Sequence, residues 1–409
     1  KIAQLMAKWQ EELAELCGIS HDVLSRNRPK PWKKKLFFSK TDVIGKMHIV
    51  LGDGIYIDAL NLMPCLQNQI RSMAAFDNPV FYKNSRLGYS NYYNFSTVYM
   101  GRDSDGYICI PRGLQDNLIA ACKEAGIDYE IADHREKGRP IRVSFKWDLR
   151  IQQDLAAQRL LVYEHGVLSA ATAFGKTAVC SYLISERKVN TLILLQSKDL
   201  LEQWVGELNK FLNIDEEPPV YKTKGGRVKR RESAIGILHG GKNTLTGIID
   251  VAMVGAVYRK GEFNELFNSY GMVLMDECHH CGSATSVELM QKVNARYVYG
   301  VSATPKRGDN LEKLIYMLIG PIRHSYTAKE RAMAQGIGHY VYPRYTGVVD
   351  TRENKNDING AYSLISSSAV RNDMILDDTR LCVQEGRTPV ILTRYKEQAK
   401  YLWDHLQTD

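Results

Sequence analysis

The 409-residue chain has no apolar run approaching the ~20 residues that a membrane-spanning helix needs. It has no signal-peptide pattern, no low-complexity segment and no internal repeat beyond a return to a strand–helix pattern near its end. Its eight cysteines follow no framework spacing, which excludes a disulfide-stapled secreted fold and fits a reducing cytoplasm. Cys278 and Cys281 bracket two histidines, but a C-x-x-C pair without a second ligand pair at suitable spacing does not make a zinc site. Charge of one sign is not in large excess. The net charge of +8, with a pI near 8.9, fits a polyanionic partner without requiring one. The chain opens on Lys1, from which we expect a piece of a longer protein.

The remainder is organised around residues 166–177, GVLSAATAFGKT. An apolar run over 167–171 ends in a short loop, then Gly175-Lys176-Thr177, then a helix-forming segment over 178–185. Strand, loop, Lys-Thr and helix together make a cradle for the phosphates of a nucleotide. Backbone N–H groups of Ala171, Thr172, Ala173, Phe174 and Gly175 would converge on the phosphates. Lys176 would supply a positive charge, and the Thr177 hydroxyl would complete a Mg²⁺ shell. The match is imperfect. Ala170 stands where the general pattern has glycine, Ala173 where helicase-type loops place a second one, and a glycine-capped turn into a surface helix would carry the same three residues.

Two later stretches bear on that choice. Residues 272–280, MVLMDECHH, deliver Asp276 and Glu277 side by side at the end of an apolar strand. Asp276 can hold Mg²⁺ through its water shell, Glu277 can orient or deprotonate a water, and His279 can link the site to neighbouring elements. Residues 300–305, GVSATP, put the Ser302 and Thr304 hydroxyls at another strand end, where they could bond the acidic pair and report on the γ-phosphate.

Along the chain, 1–25 has a helical apolar period. Residues 26–35 hold two prolines, six basic residues and Trp32, and form either a solvated tether or a phosphate-contacting arm. A hairpin is expected over 48–58 around Asp53-Gly54, with a helix over 60–76. A second hairpin is expected between 97–100 and 107–110, a helix over 114–125, and strands at 129–131 and 141–145. The tyrosine-rich segment 81–99 could grip nucleic acid, though packing accounts for such segments as well. Strands at 191–195, 235–238, 249–254, 272–275 and 297–301, with helices between them (198–212, 262–267, 286–293), imply a parallel doubly wound sheet. Residues 215–232 read as an exposed basic loop, 371–385 as a helix, and 388–392 with 396–406 as a new strand–helix unit.

Gly-Lys-Thr, Asp-Glu-x-His and Ser-Ala-Thr in this order resemble the first motor domain of a superfamily 2 helicase. The resemblance covers about residues 43–409. It implies an α/β fold: a small α+β nucleic-acid-binding domain (43–145) after a helix and basic linker (1–42), a RecA-like ATP-binding domain (146–325), a connecting segment (326–386) and the start of a second RecA-like domain (387–409). It implies ATP and Mg²⁺ as cofactors, with Thr177 and Asp276 at the metal, and nucleic acid, DNA rather than RNA, as partner. Leu149-Arg150-x-x-Gln153 resembles the adenine-reading motif, with Gln153 on the base. The segment around Gln196, Ser197 and Lys198 resembles a motif that touches the nucleic-acid backbone. Residues 250–260 resemble a second such motif, with Gly255 beginning a Gly-Ala-Val where Gln-Ser-Leu is common. Within the superfamily, the likeness is nearest to the helicase part of the primase–helicases of TOTE conflict systems. Their variant phosphate loop is similar to 170–177, and 51–57, 76–82, 111–113 and 249–253 are similar as well. That likeness implies an upstream primase domain and a role in defence. The arginine-finger motifs of the second motor domain lie beyond residue 409, so weak hydrolysis by these residues alone is the expectation. A nucleic-acid-binding module switched by ATP, and an NTPase acting on a protein partner, are the alternative functions.

Overall fold

Alternating buried residues Met47, Ile49 and Leu51, then Ile55 and Ile57, build β1 (Met47–Leu51) and β2 (Ile55–Asp58), an antiparallel hairpin with Ile49 opposite Ile57. There follow α1 (Pro64–Met73), β3 (Ala75–Asp77), α2 (Pro79–Leu87), β4 (Thr97–Tyr99), β5 (Arg102–Ser104), β6 (Tyr107–Ile110), α3 (Gln115–Ala125) and β7 (Tyr129–Asp133). Five of these strands form one sheet in the order β5-β6-β2-β1-β7, in which only β1 and β7 run parallel. Leu66 and Ile70 of α1 and Leu118 and Cys122 of α3 close its core. The computed structural model describes residues 38–407 except 93, 223–225, 260, 261, 264, 304–310, 335, 337, 339 and 353–356. The expected helix over 1–25, the basic arm with Trp32, and Thr304 therefore lie outside the described residues.

The chain divides into two compact units, one up to residue 336 and one from 337. After β8 (Val143–Phe145) and α4 (Ile151–Leu161), the first unit continues with β9 (His165–Ala170), α5 (Lys176–Arg187), β10 (Thr191–Leu195) and α6 (Lys198–Phe211). Next come β11 (Leu212–Ile214), β12 (Val220–Lys222), β13 (Val228–Arg230), β14 (Ile235–His239), β15 (Lys242–Asn243), β16 (Ile249–Met253) and α7 (Val254–Val257). Then follow β17 (Tyr258–Arg259), β18 (Glu262–Phe263), β19 (Met272–Asp276), α8 (Ala284–Gln291), β20 (Tyr297–Ser302), α9 (Glu312–Leu318), β21 (Ile322–Tyr326) and α10 (Ala328–Ala334). Eight strands make the large sheet, in the order β15-β14-β16-β10-β19-β20-β9-β21, parallel except for the edge strand β15. Near-continuous apolar strands such as β10 and β19 are what a sheet covered on both faces requires. Helices α4, α5 and α6 pack on one face, and α7, α8 and α9 on the other. This is the RecA-like parallel sheet expected from the strand–helix alternation.

Several local expectations are corrected. The helix expected over 60–76 is confined to Pro64–Met73: proline opens it, where its missing N–H is not needed, and Phe76 enters β3. The strand at Thr97–Tyr99 pairs with β3, not with β6. The partner of β6 is β5, through a turn with positive φ at Asp105 (48°) and Gly106 (85°), the pair a tight hairpin turn demands. Val143–Phe145 pairs with β11 of the large unit rather than with the small sheet. The basic stretch 215–232 is not a plain loop but contains the antiparallel ribbon β12–β13. Residues 262–267 form no α-helix, only β18 and a 3-10 turn over Glu265–Ser269. The second unit contains α11 (Ile358–Ser367), α12 (Ala369–Gln384) and α13 (Lys396–Leu406). The strand expected over 388–392 is not formed. The described residues of this unit contain no strand to close a ladder with it, and Val390 and Leu392 are exposed.

The small sheet is joined to the edge of the large one where its parallel strands begin. Arg112, in a 3-10 turn after β6, donates to the carbonyls of Val293 and Ala295, just before β20, and to that of Gly52. Burial lowers its pKa to about 10. Arg135 pairs with Glu164, just before β9, and Glu164 pairs with Arg296. Gly113 abuts α9 so closely that a Cβ would lie 1.9 Å from the Tyr316 carbonyl oxygen. Phe76 fills the same joint against Leu314 and Met317. Gly113→Ala should therefore force the two sheets apart, costing about 1–3 kcal/mol. A lowered melting temperature with new proteolytic cleavage near residue 113 checks this; an unchanged melt would show that the joint yields freely.

Candidate active site

Every residue of the site sits where a parallel strand ends. Register puts Asp276 level with Val301 of β20, and Ser302 level with Ser169 of β9, so the ends of β9, β19 and β20 open onto one edge. Gly175, left-handed at φ 88°, turns the chain from the loop into α5. A Cβ there would also meet the Gln153 amide nitrogen at 2.3 Å, so two constraints select glycine. Ala173 lies at φ 60°, the conformation that glycine adopts without strain and alanine adopts at a cost of about 1–2 kcal/mol.

The central interaction is an ion pair. Lys176 Nζ lies 3.6 Å from Glu277 Oε1, with the lysine side chain 14% exposed and the glutamate 29%. Glu277 is itself left-handed (φ 45°), strain of a kind that collects at functional sites. Its other oxygen faces His279 Nδ1 at 3.1 Å, and that nitrogen lies 2.9 Å from Ser302 Oγ. The four side chains thus form one linked series. Asp276 is nearly buried; its Oδ2 accepts from the Trp204 indole N–H at 2.7 Å and its Oδ1 from the Glu277 N–H at 2.8 Å. Burial pushes the Asp276 pKa up, while the Trp204 and Glu277 donors pull it down.

The phosphate loop is held from outside. Arg150 and Gln153 both donate to the Phe174 carbonyl, at 2.6 and 2.8 Å, and the Gln153 oxygen accepts from the Arg150 N–H. Phe174 packs against Tyr326, the Ala171 N–H donates to the Tyr326 carbonyl, and Arg331 of α10 donates to the Thr172 carbonyl at 2.5 Å. Thr177 lies in the first turn of α5, and among the described residues its hydroxyl has no partner.

At the same edge, Gln196 follows β10 and donates to Ser286, Ser197 precedes α6, and Lys198 is exposed. Gly255 is exposed in α7 with open space where a Cβ would stand. Asp250, in contrast, is fully buried, accepting from Thr246, Gly247 and Tyr270, and is a structural staple. Cys278 and Cys281 are buried in the core beneath the acidic pair.

Sequence reasoning missed Trp204, Tyr326 and Arg331 as parts of the site. Trp204 reads as one more core residue of an amphipathic helix; its lone polar atom in an otherwise apolar stripe is the only trace of its role. Arg331 carries no local pattern at all.

Residues 146–307 match the family described as type III restriction enzyme, res subunit. The DNA 3'-5' translocase XPB2 of Sulfurisphaera tokodaii is 32% identical over 187 residues, 46% of this chain and 38% of that protein. A putative ATP-dependent RNA helicase of Acanthamoeba polyphaga mimivirus is 27% identical over 168 residues, 41% of this chain and 29% of that protein. The chain thus spans well under half the length of these curated relatives. Among solved structures, UvsW of phage T4 aligns over 89% of this chain and 73% of its own, with a TM-score of 0.49 and 15% identity. The segment 146–307 is thus similar to this family, and the chain to these translocases and helicases.

Asp276 must be ionised to hold a cation. Because its pKa is raised, it protonates before an ordinary aspartate as pH falls. On the function proposed below, the acid limb of nucleotide hydrolysis should therefore lie above the usual aspartate value near ~3.9. Trp204→Phe removes a donor that holds the pKa down, so it should move that limb further toward neutral and weaken Mg²⁺ affinity about 10–100-fold. A pH profile at several Mg²⁺ concentrations checks both; an unmoved limb would leave Trp204 a packing residue only. Arg331→Ala should raise KM for nucleotide about fivefold with kcat kept, since a half-exposed charged hydrogen bond contributes about 1 kcal/mol. Equal loss in kcat and kcat/KM would instead place Arg331 at the reacting phosphate.

Proposed function

We propose that this chain is the motor part of an ATP-driven nucleic-acid helicase or translocase, with DNA as its track. The observation that carries the reading is the Lys176–Glu277 pair, with Asp276 buried beside it. The residues present fit a magnesium triphosphate: a glycine turn into a helix N-terminus, a lysine, a threonine hydroxyl and a carboxylate pair at one strand edge. Thr177 and Asp276 would hold the ion, which when bound neutralises charge on the phosphates. Lys176 binds and orients the phosphates. Glu277, fixed by His279 and Ser302, orients a water and takes its proton. Gln153 and Arg150 hold the loop, and Gln153 is the residue we assign to the base. Gln196 and Ser197, half-buried, and Lys198 and Gly255, exposed, lie along the same edge and are the proposed contacts to the nucleic-acid backbone, with Ser302 and Thr304 the proposed link between the two sites.

The finer reading is that this is the helicase region of a TOTE-type primase–helicase, working beside a primase domain and a second motor domain in the cytoplasm. It rests on the likeness of the short stretches at 51–57, 76–82, 111–113 and 249–253 to that family; Gly52, Phe76, Arg112 and Gly113 of these stretches lie at the joint between the two sheets. Among the described residues no helix is long and apolar enough to cross a membrane.

ATP hydrolysis should rise on adding single-stranded DNA, and less on adding RNA. Lys176→Ala should abolish nucleotide binding while leaving DNA affinity within about twofold. Glu277→Gln should keep nucleotide bound and slow hydrolysis by about 10²–10⁴, the range of a general base. Hydrolysis unaffected by either change would remove the site; stimulation by protein but not by nucleic acid would redirect the function to protein remodelling.

A further inference from the structure

The ribbon β12–β13 takes no part in either sheet. Its register pairs Val220 with Arg230, Tyr221 with Lys229 and Lys222 with Val228, and all six residues are exposed. Strand alternation puts Tyr221 and Lys229 on one face and Val220, Lys222, Val228 and Arg230 on the other. Arg231 joins the first face, its guanidinium 4.1 Å from the centre of the Tyr221 ring. Arg230 pairs with Glu217, but among the described residues Lys222, Arg227, Lys229 and Arg231 have no acidic partner. No acidic residue occurs between 218 and 231. Cations thus stand on both faces of a two-stranded ribbon held away from the core.

Its position matters as much as its charge. Helix α6 starts at the nucleotide edge, after β10, and runs back to the opposite edge, where Phe211 stacks on Phe145 of β8. The ribbon follows, and β14 then begins from that same edge. Five-residue strands at ~3.3 Å per residue separate the two edges by roughly 17 Å. The ribbon therefore does not belong to the track beside Lys198 and Gly255.

We propose that β12–β13 is a second nucleic-acid contact, one that grips the phosphates of a double helix flanking the track. This rests on the motor reading above and extends it. Three observations favour duplex over single strand. A two-stranded ribbon has the width the major groove admits. Cations on both faces suit a groove with phosphates on either side. The one aromatic ring, Tyr221, already has a face covered by Arg231, so it is a poor platform for stacking unpaired bases.

The test compares the wild-type full-length protein with its Lys229→Gln/Arg231→Gln and Lys222→Gln/Arg227→Gln variants, each measured for duplex binding across salt concentrations and for ATPase stimulated by single-stranded DNA. Each double change should weaken duplex binding about tenfold or more at low salt. Each should also lower the slope of log affinity against log salt by about 2, at ~0.9 for every phosphate no longer neutralised. Stimulated ATPase should stay within twofold, and melting temperature should move little, because Lys222, Arg227 and Lys229 are exposed and Arg231, half-buried over the Tyr221 ring, packs on the ribbon and not in the core. An unchanged salt slope, an equal loss for single strand and duplex, or binding of an acidic polypeptide in place of duplex would each overturn the proposal. If the full-length protein shows no DNA-stimulated ATPase, the motor reading fails instead; duplex binding measured without nucleotide still decides the ribbon's role.

Discussion

A carboxylate buried at the end of a central strand is the constraint on which the rest of the site depends. Asp276 is taken out of water and needs donors to remain ionisable. One comes from the next residue, the Glu277 N–H; the other is the Trp204 indole on α6. That second donor requires α6 to press its Leu201–Trp204–Leu208 stripe onto the same face of the sheet that α5 covers. Packing of α6 and chemistry of Asp276 are therefore one requirement. A change that loosens the helix reaches the carboxylate proposed for the metal without touching it.

The parallel sheet has two edges with different work. Where the strands end lie the phosphate loop, the acidic pair, Ser302 and the exposed residues proposed for the track. Where they begin lie Arg112, Gly113, the Arg135–Glu164–Arg296 pairs and the basic ribbon. The small α+β domain is thus fastened to the edge away from the Lys176–Glu277 pair. On the proposed function, any contribution it makes to gripping nucleic acid has to come from beside or beneath the large sheet, not from across the strand-end site.

The strand–helix alternation, the hydrophobic runs and the order Gly-Lys-Thr, Asp-Glu, Ser-Ala-Thr made the parallel sheet and the meeting of Lys176, Glu277 and Ser302 at one strand edge legible in the sequence, because each is written in consecutive residues. What was illegible depends on partners far apart in the chain. Trp204 and Asp276 are separated by 72 positions, and Arg331 and Thr172 by 159. Short elements also misled. Periodicity over 60–76 could not show that Phe76 leaves the helix to pack on α9, and the run at 388–392 has apolar strand character but no neighbour to pair with among the described residues. The departures from the general phosphate-loop pattern have a physical reading. Ala170 is fully buried at the end of β9, and Ala173 accepts the left-handed backbone that glycine would adopt without strain.

The Lys176–Glu277 pair has a consequence for how such a site is switched. A mostly buried ammonium without a counter-charge is costly, and here Glu277 supplies one. On the proposed function, a triphosphate brings more negative charge to Lys176 than one carboxylate does and takes Glu277's place. The displaced carboxylate keeps its bonds with His279 and Ser302, so it is freed toward a water without being released to solvent. Binding of the substrate and arming of the base are then the same event. The left-handed backbone at Glu277 fits this account: strain is held at the residue that has to change partners, while Asp276, one position earlier, is fixed by two hydrogen bonds and stays in place.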